Sequence, residues 1–143
     1  MKILNGYTGV MRNNFLQWAF FLCALAVALG AFGAHGLQPL LDEKSQHTYQ
    51  TAVQYHFYHA LALAVCGLLQ LFRPNRLVVQ AGRLFGVGLF LFCGSLYLMS
   101  FVKAAGVTTM GWLGAITPLG GLAFIAGWVV LLLAAARLQR PSE

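Results

Sequence analysis

Charged side chains are scarce in this sequence. Its 143 residues include nine Lys or Arg and three Asp or Glu, so that 8% of the chain is charged, whereas soluble domains carry about 25%. Apolar residues make up 59%, against roughly 45–50% in soluble domains. A soluble fold of this length needs more charge to cover its surface. The composition therefore excludes a soluble domain and predicts a single membrane domain over residues 1–143.

Paired cysteines and familiar catalytic motifs are absent as well. Cys23, Cys66 and Cys93 each lie inside an apolar run, and no C-x-x-C pair exists for disulfide exchange or zinc binding. The sequence contains no H-E-x-x-H and no G-x-S-x-G, the patterns of zinc proteases and serine hydrolases. These absences disfavour an enzyme, and they give no catalytic residue, no metal site and no cofactor.

Basic residues are present but do not cluster. The net charge is +6, yet the nine Lys and Arg are spread over five short segments between apolar runs, whereas nucleic-acid-binding proteins gather them into a stripe. The sequence therefore excludes nucleic acid as a partner. The partner that it predicts is the lipid bilayer.

Four apolar runs are long enough to cross that bilayer. The run from Phe15 to Ala34 is about 30 Å long as a helix, which matches the hydrocarbon core. We predict an all-α membrane protein, a bundle of four transmembrane helices at about residues 15–36, 42–72, 82–102 and 112–137. Pro118-Leu119-Gly120-Gly121 is expected to interrupt the fourth. A cleaved signal peptide is the alternative for the first run, and Met11 is an alternative start.

The distribution of Lys and Arg predicts the orientation. The N-terminal segment, the second loop and the tail carry seven of the nine, and the first and third loops carry one each, Lys44 and Lys103. Basic loops are retained in the cytoplasm. We therefore predict a multi-pass protein of the bacterial inner membrane with both termini in the cytoplasm.

Small residues recur at four-residue spacing in two of the predicted helices. Ala26, Gly30 and Ala34 share one face of the first helix, and Gly82 and Gly86 share one face of the third. Such faces let two helix backbones approach closely. The residues predicted to pack helices together are Ala26, Gly30, Gly33, Ala34, Gly82, Gly86, Gly120 and Gly121.

Polar residues of all four helices gather in the outer half of the membrane when depth is counted from the rise per residue. The candidate polar cluster contains His35, His56, His59, Ser95, Tyr97 and Thr117. Three interpretations are open: a belt of side chains in the headgroup layer, a structural hydrogen-bond cluster, or a metal, haem or proton site. We expect His35 to hydrogen-bond to the second helix or to a carbonyl near Thr117-Pro118.

Four stretches in order along the chain resemble one family. They are Leu29–Leu37 (LGAFGAHGL), Tyr58–Leu63 (YHALAL), Gly94–Leu98 (GSLYL) and Ile116–Gly121 (ITPLGG). Together they resemble the domain-of-unknown-function 423 family of small inner-membrane proteins, from about Met11 to Trp128. The resemblance implies a four-helix membrane protein without an established activity, and it supplies no catalytic residues.

Two functional hypotheses follow. The first is a non-enzymatic membrane protein that binds a lipid, a partner membrane protein or its own copies, as a homo-oligomer, through its Gly and Ala faces. The second is a transporter or a metal- or haem-binding protein that uses the outer-leaflet histidines. Ion paths and proton-coupled transporters carry intramembrane charges, and the predicted spans have none away from their outer edges. This favours the first hypothesis.

Overall fold

The chain forms four long helices in a computed structural model that describes residues 14–107 and 111–138. This part of the chain contains helices and no strand. Four helical segments are long and apolar enough to cross a membrane: Phe15–Leu40, Glu43–Phe72, Arg76–Ala104 and Gly111–Arg137. We call them the first to fourth spans. The predicted all-α fold with four spanning helices is confirmed.

The first span changes its helix type towards its end. It is an α-helix over Phe15–Phe32, a π-helical turn over Gly33–Leu37 and a 3-10 turn over Gln38–Leu40. Pro39 lies inside the 3-10 turn, where its missing N–H and its ring prevent an α-helix from continuing. The segment therefore stays helical to its last residue, but its final turns are distorted.

The second span begins at a side-chain cap. Asp42 precedes the α-helix Glu43–Phe72 and accepts a hydrogen bond from the Ser45 N–H at 2.8 Å, which satisfies one of the free N–H groups of the first turn. The helix has 30 residues, or about 45 Å, against about 30 Å for the hydrocarbon core. Its first turns therefore project into or beyond the headgroup layer.

The third span starts earlier than the predicted residue 82. Its α-helix runs over Arg76–Gly88, capped by the Asn75 side chain, which accepts from the Leu77 N–H at 2.8 Å. Gln70 on the second span also donates to the Asn75 carbonyl at 2.6 Å. The polar turn at Asn75 therefore starts the helix. Arg83 lies inside the helix, with its side chain exposed. A π-helical turn, Leu89–Cys93, leads into the final α-helix Gly94–Ala104.

The fourth span is one α-helix, Gly111–Leu138, with Pro118 inside it. The predicted interruption at Pro118 is therefore wrong. Membrane helices tolerate proline because neighbouring groups and small backbone adjustments satisfy the carbonyl that loses its partner. Unwinding the helix in lipid would leave several backbone groups without partners instead of one.

The second span lies at the centre of the assembly. Half of its apolar window is buried, compared with 11% for the first span. The first span packs against the second, the third packs against both the second and the fourth, and the core continues through Tyr49, Cys66, Phe85 and Phe124. Most of the first span faces outward, as expected for a helix that lies beside lipid.

The first and second spans meet through small residues. Ala19 and Ala26 are fully buried, and a Cβ placed on Gly67 would lie 2.7 Å from Leu16 Cγ. A Cβ on Gly30 would lie 3.3 Å from Val53, and one on Gly33 would overlap the ring of Tyr49. Small residues therefore allow the close contact between these two helices.

The third and fourth spans meet by inserting phenylalanines against glycines. A Cβ on Gly127 would lie 2.7 Å from Phe85, and one on Gly88 would overlap Phe124. At Gly120 the obstacle is backbone, because an added Cβ would lie 2.7 Å from Phe92 Cα. Gly88 and Gly127 were not among the predicted packing residues.

Two of the predicted packing residues do not pack. No atom lies within 4 Å of a Cβ added to Gly86, and Ala34 is exposed. Gly82 does face a neighbour, since its added Cβ would lie 2.6 Å from Phe15, whereas Gly121 comes only to 3.8 Å from Phe92. Gly86 lies four residues beyond Gly82 on the same side of the helix, but no neighbouring group reaches it there.

Candidate functional site

His59 connects the second span to the fourth. Its Nδ1 lies 2.8 Å from the Tyr55 carbonyl and must donate to it, while its Nε2 accepts from Trp128 Nε1 at 3.3 Å. The ring carries one proton in this arrangement, so the imidazole is neutral. It also stacks on Phe124 with 3.5 Å between ring centres. Both nitrogens are thus occupied by protein partners.

His56 connects the second span to the third. Its Nδ1 lies 3.2 Å from the Tyr97 hydroxyl. Its Nε2 is buried and has no hydrogen-bond partner among the residues that the structure describes. Leaving a buried polar group unpaired costs about 1–3 kcal/mol. The pair therefore links two helices at some expense to stability.

This arrangement predicts that the His56–Tyr97 pair can be replaced by apolar side chains without loss of stability. Tyr97→Phe alone leaves both ring nitrogens of the buried His56 unpaired and is expected to destabilise the protein by about 1–3 kcal/mol. His56→Leu in the same chain removes the second polar group, so the double variant should recover wild-type stability or exceed it. Thermal unfolding in detergent measures all three. A double variant less stable than both single variants would contradict the prediction.

Ser95 and Thr117 connect the third span to the fourth. Their hydroxyl oxygens lie 2.7 Å apart, and Ser95 also donates to the Phe92 carbonyl at 2.9 Å. With the two histidine contacts, this makes three separate polar links, each between a different pair of spans. Five of the six residues in the candidate polar cluster therefore take part in hydrogen bonds between helices or at their interfaces.

His35 is the sixth, and it lies apart from the others. Its side chain is exposed, and it forms no hydrogen bond within residues 14–107 and 111–138. The expected bond to the second helix or to the Thr117 region is therefore wrong. The reason is rotation, since Gly33 and Leu37 of the same turn face the bundle, whereas His35 lies between them on the exposed side.

The described residues form no recognisable metal site. Within them, no group of three His, Cys, Asp or Glu side chains is close enough to hold a metal ion. A divalent-metal or haem site needs free ring nitrogens or thiolates directed at one point. Instead, both nitrogens of His59 and one of His56 face protein partners.

A groove lies between the ends of the first and second spans that adjoin the first loop. Its volume is ≈ 580 Å³. Four glutamines line it, and we call it the glutamine groove. Its full lining is Gly30, Gly33, Ala34, Gln38, Leu41, Gln46, Tyr49, Gln50, Val53 and Gln54.

The spacing of the glutamines explains the groove. Gln46, Gln50 and Gln54 are each four residues apart on the second span, so they form one row along the helix. The row can be read from the sequence as a polar ridge that runs into an apolar span, although the candidate polar cluster does not include it. The groove is open, because Ala34, Gln38, Gln50 and Gln54 are exposed.

Tyr49 forms the floor of the groove. Only 3% of it is exposed, and its hydroxyl donates to the Leu29 carbonyl at 2.7 Å. Its ring packs edge-on against Tyr97, with 5.3 Å between the ring centres. Because the first span turns π-helical at Gly33, directly over Tyr49, the groove lies where that helix is distorted. Such π-turns are frequent at functional sites.

An exposed ion pair joins the first loop to the last turn of the third span, beside this end of the bundle. Lys103 Nζ lies 3.4 Å from an Asp42 carboxylate oxygen. The pKa of Asp42 lies below its usual value, chiefly because its carboxylate accepts hydrogen bonds from Ser45 and also because Lys103 is close. The first and third loops therefore lie on the same side of the bundle.

The lowered pKa predicts how stability responds to acid. A carboxyl with a lowered pKa in the folded state stabilises the protein when ionised, and this contribution disappears as the pH falls through that pKa. We expect thermal stability to fall slightly below about pH 4. Asp42→Asn is the control, because asparagine keeps the helix cap but does not titrate. Identical pH profiles for the two proteins between pH 3 and 7 would contradict the role of Asp42.

Comparisons with known proteins identify relatives along most of the chain. Residues 29–121 match the family described as "Protein of unknown function (DUF423)". The UPF0382 membrane protein YwdK of Bacillus subtilis is 47% identical over 118 residues, which cover 79% of this chain and 88% of that protein. A UPF0382 membrane protein of Haemophilus influenzae is 36% identical over 121 residues, covering 85% and 92%. No solved structure is significantly similar.

The matched region contains both features of the site. It begins at residue 29 and ends at residue 121, so it includes every residue that lines the glutamine groove and all six residues of the candidate polar cluster. The relatives are named as membrane proteins, in agreement with the four apolar spans. This chain is a membrane protein and belongs to the DUF423 family, whose function is unknown.

Proposed function

We propose that the protein is a non-enzymatic lipid-binding protein of the bacterial inner membrane, with both termini in the cytoplasm. The observation that carries this proposal is the glutamine groove of ≈ 580 Å³ between the first and second spans. Ligand sites typically occupy about 300–1,000 Å³ and combine apolar walls with a few polar groups. The groove has both kinds of lining.

The depth of the groove favours a lipid as the ligand. Val53 comes 19 residues before Phe72, at the end of the second span, or about 29 Å away along the helix, and Gln46 lies about 39 Å away. With a hydrocarbon core of about 30 Å, Val53 lies at the outer edge of the core and Gln46 lies among the headgroups. A ligand along this row would therefore contact the headgroup layer near Gln46 and the hydrocarbon core near Val53.

The groove also fits lipid binding better than transport. Its lining stops at Gly30 on the first span and Gln54 on the second, and below it the two spans are closed by contacts such as Gly67 with Leu16. The histidines that could have relayed protons are engaged with Tyr97, Tyr55 and Trp128. The transporter and metal-binding alternatives therefore have less support than a site for lipid at the membrane surface.

The proposed orientation predicts opposite labelling of two single cysteines. Lys44→Cys, exposed in the first turn of the second span next to the first loop, should react with a membrane-impermeant maleimide added to intact spheroplasts, because this end of the span is expected outside. Arg137→Cys at the end of the fourth span, which is also exposed, should react only after lysis. The wild-type protein, with its cysteines inside the spans, is the control. Labelling of Arg137→Cys in intact spheroplasts would reverse the orientation.

Filling the groove tests lipid binding directly. Ala34 lines the groove and is exposed, so Ala34→Trp should occupy it without disturbing the helix contacts. Ala28 is also exposed on the first span but does not line the groove, which makes Ala28→Trp a matched control. Native mass spectrometry of the full chain should show lipid retained by the wild type and Ala28→Trp and lost from Ala34→Trp. Equal retention by all three would overturn the proposal.

A further inference from the structure

We infer that the glutamine groove selects a ligand whose head carries several hydroxyl groups: a sugar or polyol. This inference rests on the proposed lipid-binding function, and it names the ligand class for the same site. It is carried by three properties of the lining, which are the fixed amide oxygens, the absence of charge and the apolar floor. Each is considered in turn.

Two of the glutamines present fixed acceptors. Gln46 Nε2 donates to both the Gln38 carbonyl and the Leu41 carbonyl, each at 2.9 Å, so its amide hydrogens are used and its Oε1 is held in place. Gln54 Nε2 donates to the Tyr58 hydroxyl at 3.0 Å. The oxygens of these two amides are therefore free to accept from a donor on the ligand, and Gln54 keeps one N–H free as well. A hydroxyl group supplies such a donor, whereas a phosphate or carboxylate cannot.

The other two glutamines can both donate and accept. The side chains of Gln38 and Gln50 form no hydrogen bond to any residue that the structure describes, and both are exposed at the groove. A primary amide has donor and acceptor groups side by side, as a hydroxyl group does. Neighbouring hydroxyls on one ring or chain can therefore bond to both amides at once.

The uncharged lining excludes the common ionic headgroups as the primary ligand. None of the ten residues that line the groove is charged. Recognition of a phosphate normally uses Arg or Lys, and transfer of an unpaired charge out of water is costly. An ammonium head could donate to the fixed oxygens, but no carboxylate lines the groove to balance its charge.

The floor of the groove suits the rest of such a ligand. Leu41, Tyr49 and Val53 give it an apolar surface, against which sugar C–H groups or the start of an acyl chain can pack. Tyr49 is held in place by its bond to the Leu29 carbonyl, so the floor is formed before the ligand binds. Preorganisation of this kind reduces the entropic cost of binding.

Lipid competition tests the headgroup class. The full chain, purified in a polyoxyethylene detergent that has no sugar, is mixed with equal amounts of diglucosyl diacylglycerol, phosphatidylcholine and phosphatidylethanolamine, since neither phospholipid head carries a hydroxyl group. Native mass spectrometry should show the glycolipid retained at least about fivefold over phosphatidylethanolamine, the ratio that one net hydrogen bond provides. Equal or greater retention of either phospholipid would overturn the inference and leave lipid binding itself intact.

Matched variants place the selectivity in the groove. Gln50→Met removes one amide from the groove and should abolish the preference while lipid is still retained. Gln80→Met removes an exposed glutamine of the third span that does not line the groove, and it should behave as the wild type. An unchanged preference in Gln50→Met would contradict the inference. Loss of all lipid from the wild type would instead defeat the proposed function.

Competition with a free sugar distinguishes a membrane glycolipid from a soluble glycoside as the source of the hydroxyl groups. If methyl β-maltoside displaces the glycolipid, the sugar alone is recognised, and a soluble glycoside can be the natural ligand. If the glycolipid preference persists in the presence of methyl β-maltoside, the ligand is a membrane lipid whose chains contribute to binding. Both results support recognition of hydroxyl groups, whereas the phospholipid result above does not.

Discussion

Replacing Gly120 with leucine is expected to destabilise the protein strongly and to reduce its accumulation in the membrane. A Cβ at this position would lie 2.7 Å from Phe92 Cα, and backbone cannot rotate away as a side chain can. Overpacking of a well-packed core typically costs about 1–3 kcal/mol, occasionally more, and leucine adds three further carbons. Thermal unfolding of the detergent-solubilised protein gives the measurement.

Gly86→Leu is the matched control for this experiment. It makes the same substitution in a spanning helix, at a position where nothing lies within 4 Å of the added Cβ, so wild-type stability is expected. Gly127→Ala gives a second comparison, because its obstacle is the Phe85 side chain, and Phe85→Leu should partly rescue it. Gly120→Leu with wild-type stability would show that the third and fourth spans do not approach as described.

The contrast between Gly86 and Gly88 shows what helical spacing can predict. Four-residue spacing indicates that Gly82 and Gly86 share a face, but it does not say how far the neighbouring helix follows that face. Gly88 matters because Phe124 of the fourth span packs against it, and that contact depends on how two distant segments meet. The sequence predicts helices and their small residues, whereas packing partners depend on the tertiary arrangement.

The polar residues show the same limit. The sequence predicts how deep a side chain lies in the membrane but not which neighbour it faces. Rise per residue places His35, His56 and His59 in the same half of the membrane, but a hydrogen bond also requires that side chains face each other. His56 and His59 lie on the most buried span and find partners there, while His35 lies on the least buried one. An α-helix continued from Gly30 would turn His35, five residues later, about 140° away from the Gly30 face. The outward direction of His35 could therefore be predicted from the sequence.

The glutamine groove was predictable in part. The row Gln46, Gln50 and Gln54 can be read from the sequence, and the length of the second helix places it near the membrane surface. The π-helical turn over Gly33–Leu37 and the Tyr49 bond to Leu29 could not be predicted, because no residue pattern specifies either. They determine how far the two helix ends separate, and hence whether a row of amides borders a cavity or a closed contact.

His59→Ala is expected to be the most damaging of the histidine substitutions. The ring is buried, stacks on Phe124 and accepts a hydrogen bond from Trp128. Loss of the stack costs about 0.5–1.5 kcal/mol beyond its buried area, loss of the hydrogen bond about 1 kcal/mol, and the remaining cavity adds to both. A total of about 2–4 kcal/mol is expected from thermal or chemical unfolding in detergent.

His35→Ala is the matched control, and it should leave stability unchanged because the His35 side chain is exposed and unbonded within the described part of the chain. Trp128→Phe removes the donor to His59 while it keeps an aromatic ring. In a double-mutant cycle, the destabilisations by His59→Ala and Trp128→Phe should therefore be less than additive, with a coupling of about 0.5–1.5 kcal/mol. Additive effects would show that the two rings do not interact. Equal destabilisation by His35→Ala and His59→Ala would mean that the two histidines act together, so that the link between the second and fourth spans is not specific to His59.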